Sequence, residues 1–362
     1  MVPGSAAAHD QAMKHRIHWV AQIAALAGIV LSAAACAGTP EIESDTGRAI
    51  ASREMVSING REQGLVIRGH DERDPVLLWL SGGPGGSELG WTTSYLAALE
   101  QDVVFVNWDQ PGTGMSWQAA DWETVTVQDF VDDTIALSEY LRERFPSDQL
   151  ILAGHSWGSI VGLMAAEQRP DLYSAYLGVA QQVNARENDR RGYAMVLEQA
   201  AARGDERVVS RLREMGPPPY GRAGGGNYVY LFQKVHVYSP HPSGEPSVSA
   251  MLFPPEYRLR DSINAVRGVV KGVTRVYPQL EQLDFSHSIP QVEVPIFFFT
   301  GRYDETCVQE ITWRYFQEIE APHKEFVWFE QSGHNLPYHQ PEQFVREVRT
   351  RILDHVSTRR NT

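Results

Sequence analysis

Cysteine is nearly absent from this 362-residue chain. Only Cys36 and Cys307 occur, so no disulfide framework supports the fold. Basic charge is scarce as well: 32 Lys and Arg face 45 Asp and Glu, a formal net charge of -13. That balance excludes a nucleic acid as a main partner, because phosphate binding needs a basic face. It suits a cationic or neutral substrate. Long apolar runs are missing too. The apolar segment near the N-terminus is uninterrupted only over Ile23 to Ala35, 13 residues, whereas a spanning helix needs roughly 20. Neither an internal repeat, a metal-ligand cluster nor a nucleotide fingerprint stands out, so no cofactor and no metal is expected. With 43% hydrophobic and 21% charged residues, the chain can still bury a sizeable core, and one large domain is the simplest organisation.

The first 35 residues read as an export segment. Lys14, His15 and Arg16 precede the apolar stretch, and Ala33, Ala34 and Ala35 stand before Cys36, a small-residue cleavage site. Met13 directly precedes Lys14, so translation is expected to begin there. The layout resembles a bacterial lipoprotein signal with lipid attached at Cys36, although Ala33 stands where leucine is usual. Plain secretion and an uncleaved anchor are the alternatives. An exported protein, tethered at the cell surface or secreted, is therefore expected, with residues 36–54 as a tether.

Glycine is concentrated where it carries meaning. Leu150 to Ala153 is a short buried strand running into Gly154-His155-Ser156-Trp157-Gly158, followed by a helix from Ile160. This fits the G-x-S-x-G elbow, which lifts a serine hydroxyl above a sheet edge and leaves the next NH at a helix N-terminus. Val76 to Leu80 is another buried strand, feeding Ser81-Gly82-Gly83-Pro84-Gly85-Gly86. A phosphate cradle would need a lysine or G-x-G-x-x-G spacing, and neither is present, so an oxyanion loop is the reading, with Gly83 as donor. Asn59-Gly60 between Met55–Ile58 and Leu65–Arg68 predicts an opening antiparallel pair. Thr126 reads as the N-cap of a helix to Phe145, and strands follow at 103–106, 176–180, 295–300 and 325–329. Strand and helix alternate, which gives a mostly parallel, doubly wound α/β sheet over 55–180 and 277–362.

Residues 181–276 hold no comparable strand and are too many for one crossover, which predicts an inserted, mainly helical lid. Helices are expected over 192–213 and 259–276, a flexible glycine loop over 221–227, and aromatic candidates for the pocket wall at Tyr228, Tyr230, Phe232 and Tyr238. The same aromatics could be lid core. A serine needs a base and a third group to orient that base. In this topology the order is Ser, then Asp or Glu, then His, each at a strand end. Asp304 after PIFFFTGRY and His334 after EFVWFEQSG stand at those places. Ser156, Asp304 and His334 are therefore the predicted catalytic set, with Gly83 and Trp157 as oxyanion donors. His155, inside the elbow, is expected to bond locally, and Cys307 to be a buried structural thiol.

Taken together, LLWLSGGPGGS, NWDQPGTGMS, AGHSWGS, FFTGRYD and FEQSGH resemble the α/β-hydrolase fold and, within it, the prolyl aminopeptidase (proline iminopeptidase) family. The resemblance implies serine hydrolysis through an acyl-enzyme on small-molecule or short-peptide substrates, without a cofactor. Ser81 and Pro111 stand where the family has histidine and arginine, and its lid motifs for the substrate amine are absent. Glu187, Asp189 or Glu198 could replace them, with Tyr228 and Phe232 as further substrate contacts. An aminopeptidase on short peptides, an esterase or lactonase on a small acyl ester, and a non-catalytic binding protein are the functions this sequence allows.

Overall fold

A computed structural model describes residues 38–146, 149–239 and 246–360. The predicted export segment and Cys36 lie outside the described residues. Eight strands form one sheet: β1 (Ile50–Ile58), β2 (Arg61–Gly69), β3 (Val76–Leu80), β4 (Val104–Trp108), β5 (Leu150–His155), β6 (Tyr173–Val179), β7 (Ile296–Gly301) and β8 (Lys324–Phe329). Their order is β1-β2-β4-β3-β5-β6-β7-β8. β1 pairs antiparallel with β2 through the Asn59-Gly60 turn, β2 pairs antiparallel with β4, and the remaining neighbours are parallel.

Strand periodicity explains why both faces are covered. Side chains alternate across a strand, so Leu78 and Leu80 of β3 join one buried cluster while Leu77 and Trp79 join another. β5 divides likewise, Leu150 and Leu152 to one side and Ile151 and Ala153 to the other. The helix Val127–Arg144 covers the first face together with Trp157–Gln168, and its start is fixed by a capping box between Thr126 and Asp129. The C-terminal run from Pro341 covers the second face; it continues through a π-helical stretch, Val348–Leu353, into Asp354–Arg360.

Between β6 and β7 the chain leaves the sheet for an insertion whose longer helices, among the described residues, are Ala185–Ala202, Glu206–Met215, Gly225–Tyr238 and Leu259–Arg275, with short helices at Val248–Leu252 and Phe285–Ser288. Two boundaries differ from expectation. The predicted helix over 192–213 is two helices, because Gly204 turns at φ +70° and Asp205 then caps Val208. The expected glycine loop over 221–227 is helical from Gly225, whose missing side chain lets Thr274 approach; a Cβ there would stand 2.8 Å from the Thr274 backbone. Gly225 thus serves close packing, whereas a Cβ at Gly204, Gly221 or Gly226 would meet open space.

The insertion presses on the glycine loop after β3. Gly268 and Gly272 sit one turn apart on Leu259–Arg275, and a Cβ on either would lie 2.4 Å from the Gly85 carbonyl or 2.0 Å from that of Pro84. Tyr257 adds a polar tie, its hydroxyl donating to buried Asp109 at 2.6 Å.

Candidate active site

The elbow after β5 has the strained geometry its glycines predict. Ser156 sits at φ 55° and ψ -116°, held by its NH donating to the Val179 carbonyl at 2.9 Å. Any side chain at Gly154 or Gly158 would collide with backbone, at 2.3 Å from the Gly158 carbonyl and 2.1 Å from that of Leu80. The following helix starts at Trp157, so its free NH groups and positive dipole end meet the serine.

Three strand ends bring their side chains together. His334 Nε2 lies 3.0 Å from Ser156 Oγ, and its Nδ1 lies 3.0 and 3.1 Å from the two Asp304 oxygens. An ionised carboxylate only accepts, so Nδ1 carries the proton and Nε2 is left to accept from the serine hydroxyl. Asp304 is fully buried, and its Oδ1 also accepts from the NH groups of Thr306 and Cys307 at 2.9 Å. That capping turn precedes the next helix, which begins at Gln309. Gly83 and Trp157 line the same cavity as Ser156 and His334, a space of about 410 Å³.

Sequence reasoning missed the layer behind this chain. Buried Glu88 accepts from His155 Nδ1 at 2.6 Å and from the Trp79 indole at 2.9 Å, while His155 Nε2 donates to the His334 carbonyl at 3.1 Å. Burial alone would lower the His155 pKa, but the Glu88 carboxylate outweighs it and holds the ring above its ordinary value. Burial likewise opposes Glu88 ionisation, and His155 overcomes it, leaving the carboxyl below its usual range. Both directions describe a buried ion pair braced against the backbone of His334. A second brace, Gln110, accepts from the Trp157 indole at 2.9 Å and donates to the Ser81 carbonyl at 3.0 Å. It joins the elbow to the glycine loop. Its sequence signal was the polar loop after β4.

The predicted substrate contacts fare unevenly. Phe232 lines the cavity. Tyr228 does not: it is wholly buried, stacked on Phe232 and edge to face with Tyr220 and Tyr277, and its hydroxyl donates to Glu281 at 2.9 Å. Glu187 is also corrected, since its two oxygens are taken by Arg191 at 2.8 Å and Arg314 at 2.6 Å, away from the cavity. Glu198 is exposed. Asp189 stands one hydrogen bond behind the wall, accepting at 2.8 Å from Tyr277, which lines it. Burial pushes the Asp189 carboxyl up to about 7, with Glu281 adding to the rise. Elsewhere the inserted helices offer the cavity Met251, Ala265, Val266, Val269 and Val273, an apolar wall.

Cys307 lies 3.9 Å from Ser156 Oγ, but its thiol donates to Gln182 and burial, reinforced by Asp304, keeps it protonated. Asp304, Cys307 and His334 bring ligand atoms within 4.8 Å of one another. A protonated thiol and an imidazole engaged at both nitrogens are poor metal ligands. Three other histidines bond locally, His287 to Asp284, His323 to Glu325 and His339 to Ser332.

Comparison with known proteins places the whole chain rather than its single residues. The chain is 31% identical over 314 residues to "Probable aminopeptidase YbaC" of Bacillus subtilis (strain 168), covering 85% of this chain and 98% of that protein. It is 22% identical to the proline iminopeptidase of Chitinophaga pinensis over 77% of this chain and 92% of that one. The crystal structure of a proline iminopeptidase from Mycobacterium smegmatis superposes with a TM-score of 0.61 at 18% identity, over 85% of this chain and 99% of that one, which shows the shared fold. The profile of the alpha/beta hydrolase family matches residues 77–347, and the chain belongs to that family.

Proposed function

We propose that this hydrolase works through Ser156 and an acyl-enzyme. The observation that carries the reading is the unbroken contact from Asp304 through His334 to Ser156 at the floor of an open cavity. His334 takes the hydroxyl proton as Ser156 attacks an acyl carbon, and Asp304 stabilises the imidazolium. The backbone NH groups of Gly83 and Trp157 receive the oxyanion. His334 then returns the proton to the leaving group, and a water, activated by the same ring, releases the acyl group.

The substrate we propose first is a short peptide with a free N-terminus, supported by the aminopeptidase relative from Bacillus subtilis. On that reading Asp189 is the lid carboxyl available to answer the ammonium group, through or beside Tyr277. A second reading, an esterase on an apolar acyl group, is favoured by the aliphatic lid wall, where a carboxylate would otherwise face the amine. Turnover of proline-naphthylamide, its N-acetylated form and a short-chain p-nitrophenyl ester separates the two. Cleavage of the free amine alone supports the peptidase; cleavage of the ester alone supports the esterase. Ser156→Ala is expected to lower kcat by about 10⁴ to 10⁶ with the fold retained, and a variant that keeps most of its activity overturns the mechanism. We further propose export, from residues 14–36 of the sequence; mass spectrometry of the N-terminal peptide from cells tests lipid attachment at Cys36.

A further inference from the structure

The lid helix Leu259–Arg275 leaves a line of aliphatic side chains in solvent. Leu259, Ile263, Val266 and Val270 follow at steps of four, three and four, and each is about half exposed. Phe253 and Val248, just before this helix, are nearly two-thirds exposed. Scattered apolar residues on a surface need no explanation, but a contiguous line on one helix face does. The line is also continuous with the cavity, because Val266, together with Val269, Val273 and Met251, lines it.

Charge along the same helix is one-sided. Arg260, Arg267, Lys271 and Arg275 are its basic residues, and three of them stand one position after an apolar member of the line. Its single acid, Asp261, is buried and paired with Arg53 at 3.1 Å. Arg275 is paired with Glu123 at 3.1 Å, Arg260 also reaches Asp261 at 3.4 Å and Arg267 lies over the Trp117 ring. In a chain of net charge -13 the helix still carries more basic than acidic side chains beside an apolar ridge, the pattern of a helix lying in a membrane interface.

The first described residues lie against the segment just before this helix. Thr39 donates to Glu256 Oε1 at 2.9 Å, three residues before Leu259, and Arg68 holds the Pro40 carbonyl at 2.6 Å. Arg53 fixes the Glu256 carbonyl at 2.6 Å. Three peptide units separate Thr39 from Cys36, a reach of at most about 11 Å. An apolar sequence ending at Cys36 therefore delivers any membrane it enters to the start of the exposed line.

We propose that Leu259–Arg275, with Val248 and Phe253, is a docking surface for a bilayer containing anionic lipid. The aliphatic line enters the interface, the flanking Arg and Lys meet lipid phosphates, and the cavity mouth opens against the membrane. The surface is independent of whether the substrate is a peptide or an ester.

The test uses the full chain carrying Cys36→Ser and Ile263→Cys, labelled with nitrobenzoxadiazole; buried Cys307 does not react. The protein is reconstituted in phosphatidylcholine–phosphatidylglycerol vesicles with and without doxyl-labelled lipid. Glu293→Cys, exposed just before the N-terminal end of β7, the strand end opposite the one that carries Ser156, is the comparison site. The expected result is roughly twofold quenching at 263, little at 293, and loss of the difference in Arg267→Glu/Lys271→Glu. Equal quenching at both sites, or none at 263, overturns the proposal. So does a probe at 263 already shielded in detergent, whether by a second copy, seen as a doubled mass, or by the chain's own N-terminal segment, seen at monomer mass.

Discussion

Replacing Asp189 by Asn stabilises the protein by an amount that grows with pH. The side chain is almost fully buried, and its carboxyl is pushed up from 3.8 to about 7 by that burial, the Tyr277 hydroxyl only partly compensating and Glu281 adding to the rise. A raised carboxyl means that the folded state holds the proton more tightly than the unfolded chain. Stability therefore falls as pH rises from the unfolded value near 3.8 to the folded value near 7, and is level beyond it. Each pH unit in that window is worth about 1.4 kcal/mol, so the cost is below about 2 kcal/mol at pH 5 and about 4 kcal/mol at pH 8. Asparagine keeps the shape and an oxygen for Tyr277 but has no proton to lose. Urea unfolding of both proteins at pH 5 and pH 8 reads the difference, and Asp189→Asn should gain about 2 to 3 kcal/mol more at the higher pH. Equal gains at both values, or a less stable variant at pH 8, would show that the carboxylate is paired in the folded protein and that the cavity wall behind Tyr277 is already anionic. An amine-bearing substrate would draw the same carboxyl down, so peptide turnover, unlike ester turnover, should suffer in the variant.

The other expectations concern the elbow and its braces. Asp304→Asn leaves the geometry but favours the wrong His334 tautomer, lowering kcat by about 10⁴ with circular dichroism unchanged; a loss below tenfold contradicts the assigned orientation. Glu88→Gln strands a buried imidazolium and costs about 3 to 5 kcal/mol. Because Glu88 is lowered and His155 raised, the pair's contribution is lost as pH falls through the folded Glu88 value and as it rises through the folded His155 value. The penalty in a denaturation series should thus peak around pH 5 to 6, and a pH-independent penalty would mean that the pair is neutral. Gly158→Ala drives a methyl into the Leu80 carbonyl, so a lowered melting temperature is expected, by more than the roughly 1 to 3 kcal/mol of ordinary overpacking.

Residues whose chemistry is dictated by local geometry were legible in the sequence. A serine between glycines after an apolar run fits an elbow in an α/β fold, and the order of strand ends then points to Asp304 and His334. What stayed hidden depends on contacts between distant segments. Glu88 and His155 are 67 positions apart, and nothing local marks them as partners. Gln110 sits in a loop whose polarity is visible, but its two bonds, to the Trp157 indole and the Ser81 carbonyl, exist only after three strands align. Glu187 was a reasonable amine-binding candidate by type; Arg314, 127 positions further on, takes one of its oxygens.

The glycines of the inserted helices show why composition misleads where packing decides. Gly225 looked like loop and is helix, because its role is to let Thr274 come close. Gly268 and Gly272 fall inside a helix, where they cost about 1 kcal/mol each in propensity, and what offsets that cost is contact with the carbonyls of Gly85 and Pro84. The loop so touched is the one that carries Gly83. A lid helix that leans on the glycine loop after β3 with its glycine face, lines the cavity with Val266, Val269 and Val273, and exposes Leu259, Ile263 and Val270 has no side left over. Any force on its outer face, whether from a membrane or from substrate entering beneath it, is transmitted by backbone contact to the residues that would hold the oxyanion. Gly268→Ala tests that link: it should impair kcat more than KM, because the damage falls on the loop rather than on the aliphatic wall.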